Sequence, residues 1–363
     1  MLNDADFMAR ALALAERGRG RTSPNPMVGA LVVDFEGVIV GRGVHEAAGG
    51  PHAEVFALED AGARAHGATL YCTLEPCSHT GRTGPCAPLV ADAGIARAVI
   101  AVEDPNPRVA GGGVLHLRSR GVEVTLGVLR DEAERLNRPF FSVMRRKRPF
   151  VTLKIALSRD GYIAASPGVR TALTGPSANR FIHRERAEVD ALAIGSGTLL
   201  SDDPLLTPRG AFRSRPLTRV VFDRRLRTPP TAKLLSTRAA GPVIIVSTPQ
   251  AAERAPEQVH ALQDAGAQIE LVAGDRPLAG ALVRLAELGL TSVIVEGGAG
   301  LHRAFWEAGL VDRLEVFQTP RVLGPGAVPW LAAPVIDADC VVERSSRQLG
   351  EDVLIEAYVH RPD

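Results

Sequence analysis

Apolar residues at the start of the chain recur at helical spacing: Phe7, Ala11 and Leu14 share one face of residues 4–17, and Asp4 is the expected N-cap. The period then changes. Two β-rich runs, 28–33 and 38–41, flank the turn Asp34-Phe35-Glu36-Gly37 and predict a hairpin. Beyond it the pattern alternates: helix over 52–62, strand over 69–74, helix over 85–93, strands over 97–102 and 122–126, and a helix over 131–143. A hairpin followed by alternating α and β predicts a three-layer α/β sandwich, largely parallel, with its sites at the carboxyl ends of the strands.

The basic run Arg145-Arg146-Lys147-Arg148-Pro149 reads as a solvated linker, which divides the chain into domains 1–146 and 147–363. After it come short apolar strands at 150–157, 191–195, 219–222, 243–247, 269–272 and 292–296. Helical patterns at 177–188, 256–265, 277–288 and 300–308 separate several of them, predicting a second, doubly wound sheet. Segments 314–318 and 353–360 read as late antiparallel additions.

Composition supports this division. A chain of 363 residues, 45% hydrophobic, has material for two packed cores. Lys plus Arg (42) balances Asp plus Glu (41), so no basic field points to nucleic acid, and small-molecule partners are expected. Four cysteines, at 72, 77, 86 and 340, are too few and too uneven for a disulfide framework, so a reducing, cytoplasmic setting is the expectation. The first residues carry acids, and Arg10 and Glu16 interrupt the apolar face, unlike a signal peptide. No run of 18 apolar residues is free of charge, so no membrane span is expected.

The chemistry concentrates in His52-Ala53-Glu54, Glu75-Pro76-Cys77 and Cys86. One imidazole and two thiolates fill three tetrahedral positions of zinc and leave the fourth for water, the arrangement of a catalytic site. Zinc acidifies that water, and Glu54, two residues from a ligand, is placed to shuttle its proton to a leaving amine. Each residue alone reads more simply as a buried thiol or a helix-end histidine. The order and spacing of all four favour the zinc site. Cys72, inside an apolar strand, and Cys340, without a partner motif, stay plain thiols. One feature departs from the zinc-deaminase pattern H-x-E…P-C-x-x-C: eight residues, 78–85, separate the cysteines.

That long segment, Pro76-Cys77-Ser78-His79-Thr80-Gly81-Arg82-Thr83-Gly84-Pro85-Cys86, lies between Thr22-Ser23-Pro24-Asn25-Pro26 and Glu103-Asp104-Pro105-Asn106-Pro107. With Lys154-Ile155-Ala156-Leu157-Ser158-Arg159-Asp160-Gly161, the run 198–207 and Glu296-Gly297-Gly298, it resembles the bifunctional riboflavin-biosynthesis deaminase/reductase family along essentially the whole chain. The resemblance implies a cytidine-deaminase-like three-layer sandwich followed by a dihydrofolate-reductase-like doubly wound domain. It implies zinc-dependent deamination of a diaminopyrimidinone ribosylamine phosphate, then NADPH-dependent reduction of its ribosyl group to ribityl. Asn25, His45, His79 and Arg82 are polar loop residues suited to the heterocycle and its phosphate. Asn25 and Asp104 read equally well as formers of Pro-flanked turns.

The second domain has no G-x-G-x-x-G fingerprint, but Gly195-Ser196-Gly197 and Glu296-Gly297-Gly298-Ala299-Gly300 each follow a strand and precede a helix, where main-chain N–H groups can cradle a pyrophosphate. The resemblance puts Ala156, Thr198, Asp202 and the turn Gly298, Ala299, Gly300, Leu301 near NADPH, and Arg186, Leu206, Arg209 and Glu296 near substrate. Arg186 and Arg209 are the candidates for the ribose phosphate. Arg224 and Arg225, after the strand ending at Asp223, are placed for the 2′-phosphate of NADPH. At Val169-Arg170-Thr171-Ala172-Leu173-Thr174 the chain departs from a Ser-x-Trp-Ile-Thr pattern. Arg170 is carried over toward substrate, and Ala172 toward the cofactor through its backbone. Lys154 is a candidate proton donor, with phosphate or sugar binding as the alternative.

Two rival readings remain. A nucleic-acid base deaminase with a C-terminal targeting domain would need a basic groove with stacking aromatics, and the chain is 4% aromatic with balanced charge. A sensor with a structural zinc would need a fourth protein ligand. The expected assembly is a homo-oligomer.

Overall fold

The computed structural model describes residues 2–78, 84–107, 109–331 and 335–360. The chain forms two compact units, Met1–Lys147 and Arg148–Asp363.

The first unit opens with the helix Asp4–Ala15. Its N-cap is Asn3, not Asp4. The Asn3 carboxamide oxygen accepts from the Asp6 N–H (3.0 Å), and the Asp6 carboxylate accepts from the Asn3 N–H (2.9 Å). Asp4 instead accepts from Arg97 (2.7 and 3.0 Å) and the Tyr71 hydroxyl (2.8 Å). The hairpin strands β1 (Gly29–Val33) and β2 (Ile39–Val44) are followed by β3 (Thr69–Cys72), β4 (Arg97–Ile100) and β5 (Glu123–Leu126). They form one sheet in the order β2-β1-β3-β4-β5, antiparallel from β2 to β3 and parallel from β3 to β5.

Glycines set the layers. A Cβ at Gly29 would lie 2.1 Å from the Ala11 carbonyl oxygen, so the first helix rests directly on β1. A Cβ at Gly41 or Gly43 would lie 2.1 or 1.9 Å from the carbonyl oxygens of Ala57 and Ala53, so the helix Ala53–Ala61 rests directly on β2. Gly43 pairs with Ala30, which faces opposite to Gly29, so the two helices flank the sheet. This is the three-layer sandwich.

Two details differ from the pattern. Residues 131–143 are not one helix but parts of two, Arg130–Leu136 and Arg138–Arg146. The chain breaks at Asn137, whose carboxamide accepts from the Met27 N–H (2.7 Å) and donates to its carbonyl (2.8 Å), and Pro139 lacks the N–H to continue the ladder. A further helix, Gly112–Ser119, begins in a triple-glycine stretch that disguises it.

The second unit contains β6 (Phe150–Leu157), β7 (Tyr162–Ala164), β8 (Ala191–Gly195), β9 (Thr218–Phe222), β10 (Val243–Ser247), β11 (Ala267–Leu271), β12 (Ser292–Val295), β13 (Arg313–Gln318), β14 (Val328–Pro329), β15 (Val341–Leu349) and β16 (Asp352–Val359). Nine of these form a sheet ordered β11-β10-β9-β8-β12-β6-β13-β16-β15, while β7 and β14 make a separate ribbon. The run from β11 to β13 is parallel. Segment 314–318 is therefore not an antiparallel addition: β13 runs parallel to β6, and the antiparallel part is β16 and β15. The strand β15 is mostly polar and exposed, which hid it from the apolar pattern. Insertion of β12 between β8 and β6 sets the glycine turns that follow β8 and β12 side by side at the carboxyl edge.

The basic run 145–149 spans the boundary between the two units, and Arg145, Arg146 and Lys147 are exposed as expected, but the run is anchored at both ends rather than free. Arg145 pairs with Glu134 and lies over the Phe141 ring, and Arg148 makes a bidentate pair with buried Asp312 (2.6 and 2.8 Å), which also accepts from the Val151 N–H (2.8 Å). Among the described residues no helix is long and apolar enough to cross a membrane.

The contact between β2 and its helix leaves no room for a methyl group. Gly43→Ala is expected to cost about 2 kcal/mol or more of first-unit stability and to loosen metal retention, read by urea unfolding with zinc analysis.

Candidate functional site

His52 is the N-cap of the helix Ala53–Ala61, and its side chain makes no capping bond. The imidazole instead turns to two sulfurs: Nδ1 lies 3.2 Å from Cys86 Sγ and 3.6 Å from Cys77 Sγ. Cys77 follows the end of β3, and Cys86 opens the helix Cys86–Asp92, its N–H donating to Cys77 Sγ (3.3 Å). The ligand atoms of all three lie within 4.8 Å of one another. Glu54, in the first turn of the His52 helix, is 3% exposed.

Electrostatics fit a cation here. Interaction with Cys86 and with His52 lowers the Cys77 pKa, while the same Cys77 contact and burial push Cys86 up. Hydrogen bonding to Cys77 raises the His52 pKa, and burial raises that of Glu54. His52, Cys77 and Cys86 would hold a divalent ion as imidazole and two thiolates, and the observed separations suit the edges, about 3.5 Å, of a tetrahedron with zinc–sulfur and zinc–nitrogen bonds. Cys72 is buried elsewhere in the core, and Cys340 is half-buried in the other unit.

A pocket of 420 Å³ opens on this cluster, with Asn25, His45, Glu54 and Asp104 in its wall. His45 Nδ1 lies 2.9 Å from the Pro51 carbonyl and so donates to it, leaving Nε2 to accept from the Asn25 side-chain N–H (3.1 Å). Burial lowers the His45 pKa, consistent with this neutral tautomer. The Asn25 carboxamide is thereby held in one orientation. His79 and Arg82 lie outside the described residues. Asn106 and Val109 also line the pocket. Asp104 had stood out in the sequence as a turn former and Asn106 only as part of the same Pro-flanked motif, while no signal marks Val109.

In the second unit, a cleft of 830 Å³ is lined by Gly195, Ser196 and Gly197, by Gly300 and Leu301, and by Arg224 and Arg225. Ser196 Oγ accepts from Arg227 (2.8 Å), and Arg227 and Arg276 add two cations that the sequence reading did not single out. The two glycine turns meet: the Gly298 N–H donates to Thr198 Oγ1 (3.1 Å), and Leu301 packs against Gly195 and Gly297. Ala299 is the first residue of the helix Ala299–Glu307. Below the turn, His302 Nδ1 accepts from Trp330 Nε1 (3.0 Å), and its Nε2 lies 3.1 Å from the Val295 carbonyl.

A second cleft, 320 Å³, gathers Arg170, Arg186, Leu206, Arg209 and Glu296 with Thr198 and Asp202. Lys233 joins them and was not anticipated. Arg186 grips Glu296 with two parallel hydrogen bonds, one of 2.7 Å from Nε. Burial alone would raise the Glu296 pKa, but Arg186 and Lys154 outweigh it and hold the carboxyl at about 2. Burial also lowers the Lys154 pKa. Ala156, two residues further along β6, is half-buried. Ala172 lines neither cleft, and its carbonyl accepts from Arg321 (2.8 Å).

The first unit is thus built as a metal-dependent deaminase of the cytidine type, joined in one chain to an α/β reductase unit. The cytidine and deoxycytidylate deaminase zinc-binding region matches residues 1–102, and the RibD C-terminal domain matches residues 149–355. The riboflavin biosynthesis protein RibD of Aquifex aeolicus is 40% identical over 354 residues, covering 97% of each chain. The solved RibD of Acinetobacter baumannii is 35% identical with a TM-score of 0.89 over 99% of each chain. A solved diaminohydroxyphosphoribosylaminopyrimidine deaminase/5-amino-6-(5-phosphoribosylamino)uracil reductase of Thermotoga maritima is 33% identical with a TM-score of 0.85 over 98% of each chain. The chain belongs to the RibD family, bifunctional deaminases and reductases of riboflavin biosynthesis. Its second unit is a reductase and not the nucleic-acid targeting domain of the rival reading.

Glu296 carries a testable consequence. A carboxyl whose pKa falls on folding, here from the ordinary 4.5 to about 2, contributes stability that is present above 4.5 and lost as pH falls toward 2. Wild type should exceed Glu296→Gln by about 3 kcal/mol at neutral pH, and the difference should shrink between pH 4.5 and 2, measured by urea unfolding of the second unit.

Proposed function

We propose that residues 1–146 deaminate 2,5-diamino-6-(5-phosphoribosylamino)pyrimidin-4(3H)-one and that residues 147–363 reduce the ribosyl group of the product to ribityl with NADPH. The observation that carries this reading is the convergence of His52, Cys77 and Cys86 beside buried Glu54 in one pocket. His52, Cys77 and Cys86 hold zinc. When bound, zinc supplies Lewis acidity that brings a coordinated water toward neutral pKa. Glu54 accepts a proton as water adds to the amine-bearing carbon and returns it to the nitrogen that leaves as ammonia. Its buried carboxyl, shifted toward working pH, suits both transfers. The oriented Asn25 and His45 pair binds the heterocycle; His79 and Arg82 are assigned to the same substrate on the sequence resemblance alone.

In the reductase unit, NADPH supplies the hydride and the protein orients it. Gly298, Ala299, Gly300 and Leu301 with Thr198 and Asp202 form the cofactor cradle, and Ala156 flanks it; Ala172, whose carbonyl is held by Arg321, is left out of it. Arg209 and Arg170 bind the substrate phosphate together with the part of the Arg186 guanidinium not engaged by Glu296. Leu206 gives the sugar an apolar wall. Lys154 delivers the proton that accompanies hydride transfer, and its lowered pKa eases release.

Glu54→Gln should retain zinc, slow ammonia release about 100- to 10,000-fold, and leave reduction of already deaminated substrate intact, followed by product mass with and without NADPH. Zinc loss, or ammonia release at the normal rate, counts against the shuttle. Replacing Arg224 and Arg225 by Ala should erode the preference for NADPH over NADH, measured as the ratio of the two kcat/KM values. An unchanged ratio removes them from the 2′-phosphate.

A further inference from the structure

Glu75 is nearly fully buried and takes no part in the mechanism above. Its two carboxylate oxygens are filled. One accepts from the main-chain N–H groups of Asp104 (3.1 Å) and Gly111 (3.0 Å), the other from those of Gly113 (2.9 Å) and Val114 (3.1 Å). Gly113 and Val114 lie in the first turn of the helix Gly112–Ser119, whose N–H groups have no partners within the helix. Gly111, the N-cap, has φ 77°, in the left-handed region, and supplies no side chain to cap that turn. A carboxylate from another part of the chain does it instead, and the helix dipole favours its charge.

The same segment is pressed against the metal-ligand turn. A Cβ at Gly113 would lie 1.9 Å from the Pro76 carbonyl oxygen, and one at Gly112 would lie 2.6 Å from Ser78 Oγ. Between the two N–H groups that share the first oxygen, the chain supplies Asp104, Asn106 and Val109 to the pocket wall. Asp104 and Asn106 are also locked locally, the Asn106 N–H donating to Asp104 Oδ1 (2.8 Å). Glu75 therefore fastens both ends of the wall segment, two residues from a ligand sulfur.

We propose that Glu75 is a positioning residue for substrate binding: its carboxylate clamps the 104–114 wall onto the Pro76-Cys77 turn, so that the pocket wall keeps a fixed distance from the metal ligands. With four donors aimed at it, Glu75 has no free lone pair to move protons, and its effect passes through the wall alone. The inference rests on the deaminase reading. Glu75→Gln keeps the shape but turns one oxygen into an NH2 group facing two N–H donors, so two hydrogen bonds are lost on one side of the clamp.

The test uses the full-length protein and the diaminopyrimidinone substrate. Glu75→Gln should raise KM for ammonia release about tenfold or more while kcat, zinc per chain and the kinetics of reduction stay near wild type. A structural role alone would lower thermal stability without that split between KM and kcat. An unmoved KM overturns the proposal, as does loss of zinc, which would assign the carboxylate to the metal turn itself. If Glu75→Gln does not accumulate as folded protein, Gly113→Ala displaces the same segment with Glu75 intact and is judged by the same outcomes. In the unaltered protein, the amide hydrogens of 111–114 should exchange with solvent as slowly as those of β3. Fast exchange there overturns the clamp whatever the variants do. If the unaltered protein releases no ammonia from this substrate, the deaminase reading fails; normal release with an unmoved KM in the variant sinks only the Glu75 inference.

Discussion

The first unit is organised around one constraint: an imidazole and two sulfurs from separate stretches of chain must meet within 4.8 Å. Helix placement provides this. Gly41 and Gly43 let the main chain of the helix Ala53–Ala61 touch β2, which sets the depth of His52 and Glu54. The end of β3 delivers Cys77, and the N–H of Cys86 closes back on that sulfur at 3.3 Å. Because one ligand caps a helix and another starts one, the cluster sits where helix-start N–H groups favour negative charge, which helps two thiolates coexist. Glu54, in the first turn of the same helix, follows His52 to the site without needing a loop of its own.

The second unit solves a different electrostatic problem. It must bring anionic ligands to a sheet edge and still bury charges of its own. The parallel strands do the first by placing two glycine turns together, joined by the Gly298 to Thr198 hydrogen bond. Arg186, Glu296 and Lys154 do the second: Glu296 is ionised because two cations face it, and Arg186 is held rigid by the carboxylate it grips. Part of the positive charge in the 320 Å³ cleft is thus already compensated, and Arg170, Arg209 and Lys233 also line its wall.

Much of this was legible in the chain. The metal cluster stood out because His-x-Glu and two spaced cysteines are few in number and each has a chemical job. The sheets stood out because strands buried on both faces are runs of Val, Ile and Ala. Where pattern failed, a particular contact had replaced local propensity. Asn3 caps the first helix because Arg97 and Tyr71 occupy Asp4. The helix Gly112–Ser119 begins among glycines because Glu75, distant in sequence, supplies its cap. Arg148 in a basic run is bound because Asp312, more than 160 positions on, is its partner. The strand β15 is polar because it lies at a sheet edge. Each of these four misses is a long-range polar contact or an exposed surface, neither of which leaves a periodic trace.

The claim on which the rest depends is that His52, Cys77 and Cys86 hold zinc and leave one position open. X-ray absorption at the zinc edge of the full-length protein reads that shell directly. The predicted result is two sulfur neighbours at about 2.3 Å and two nitrogen or oxygen neighbours at about 2.0–2.1 Å. A shell of three or four sulfurs, or protein that retains no zinc through gel filtration, would contradict it.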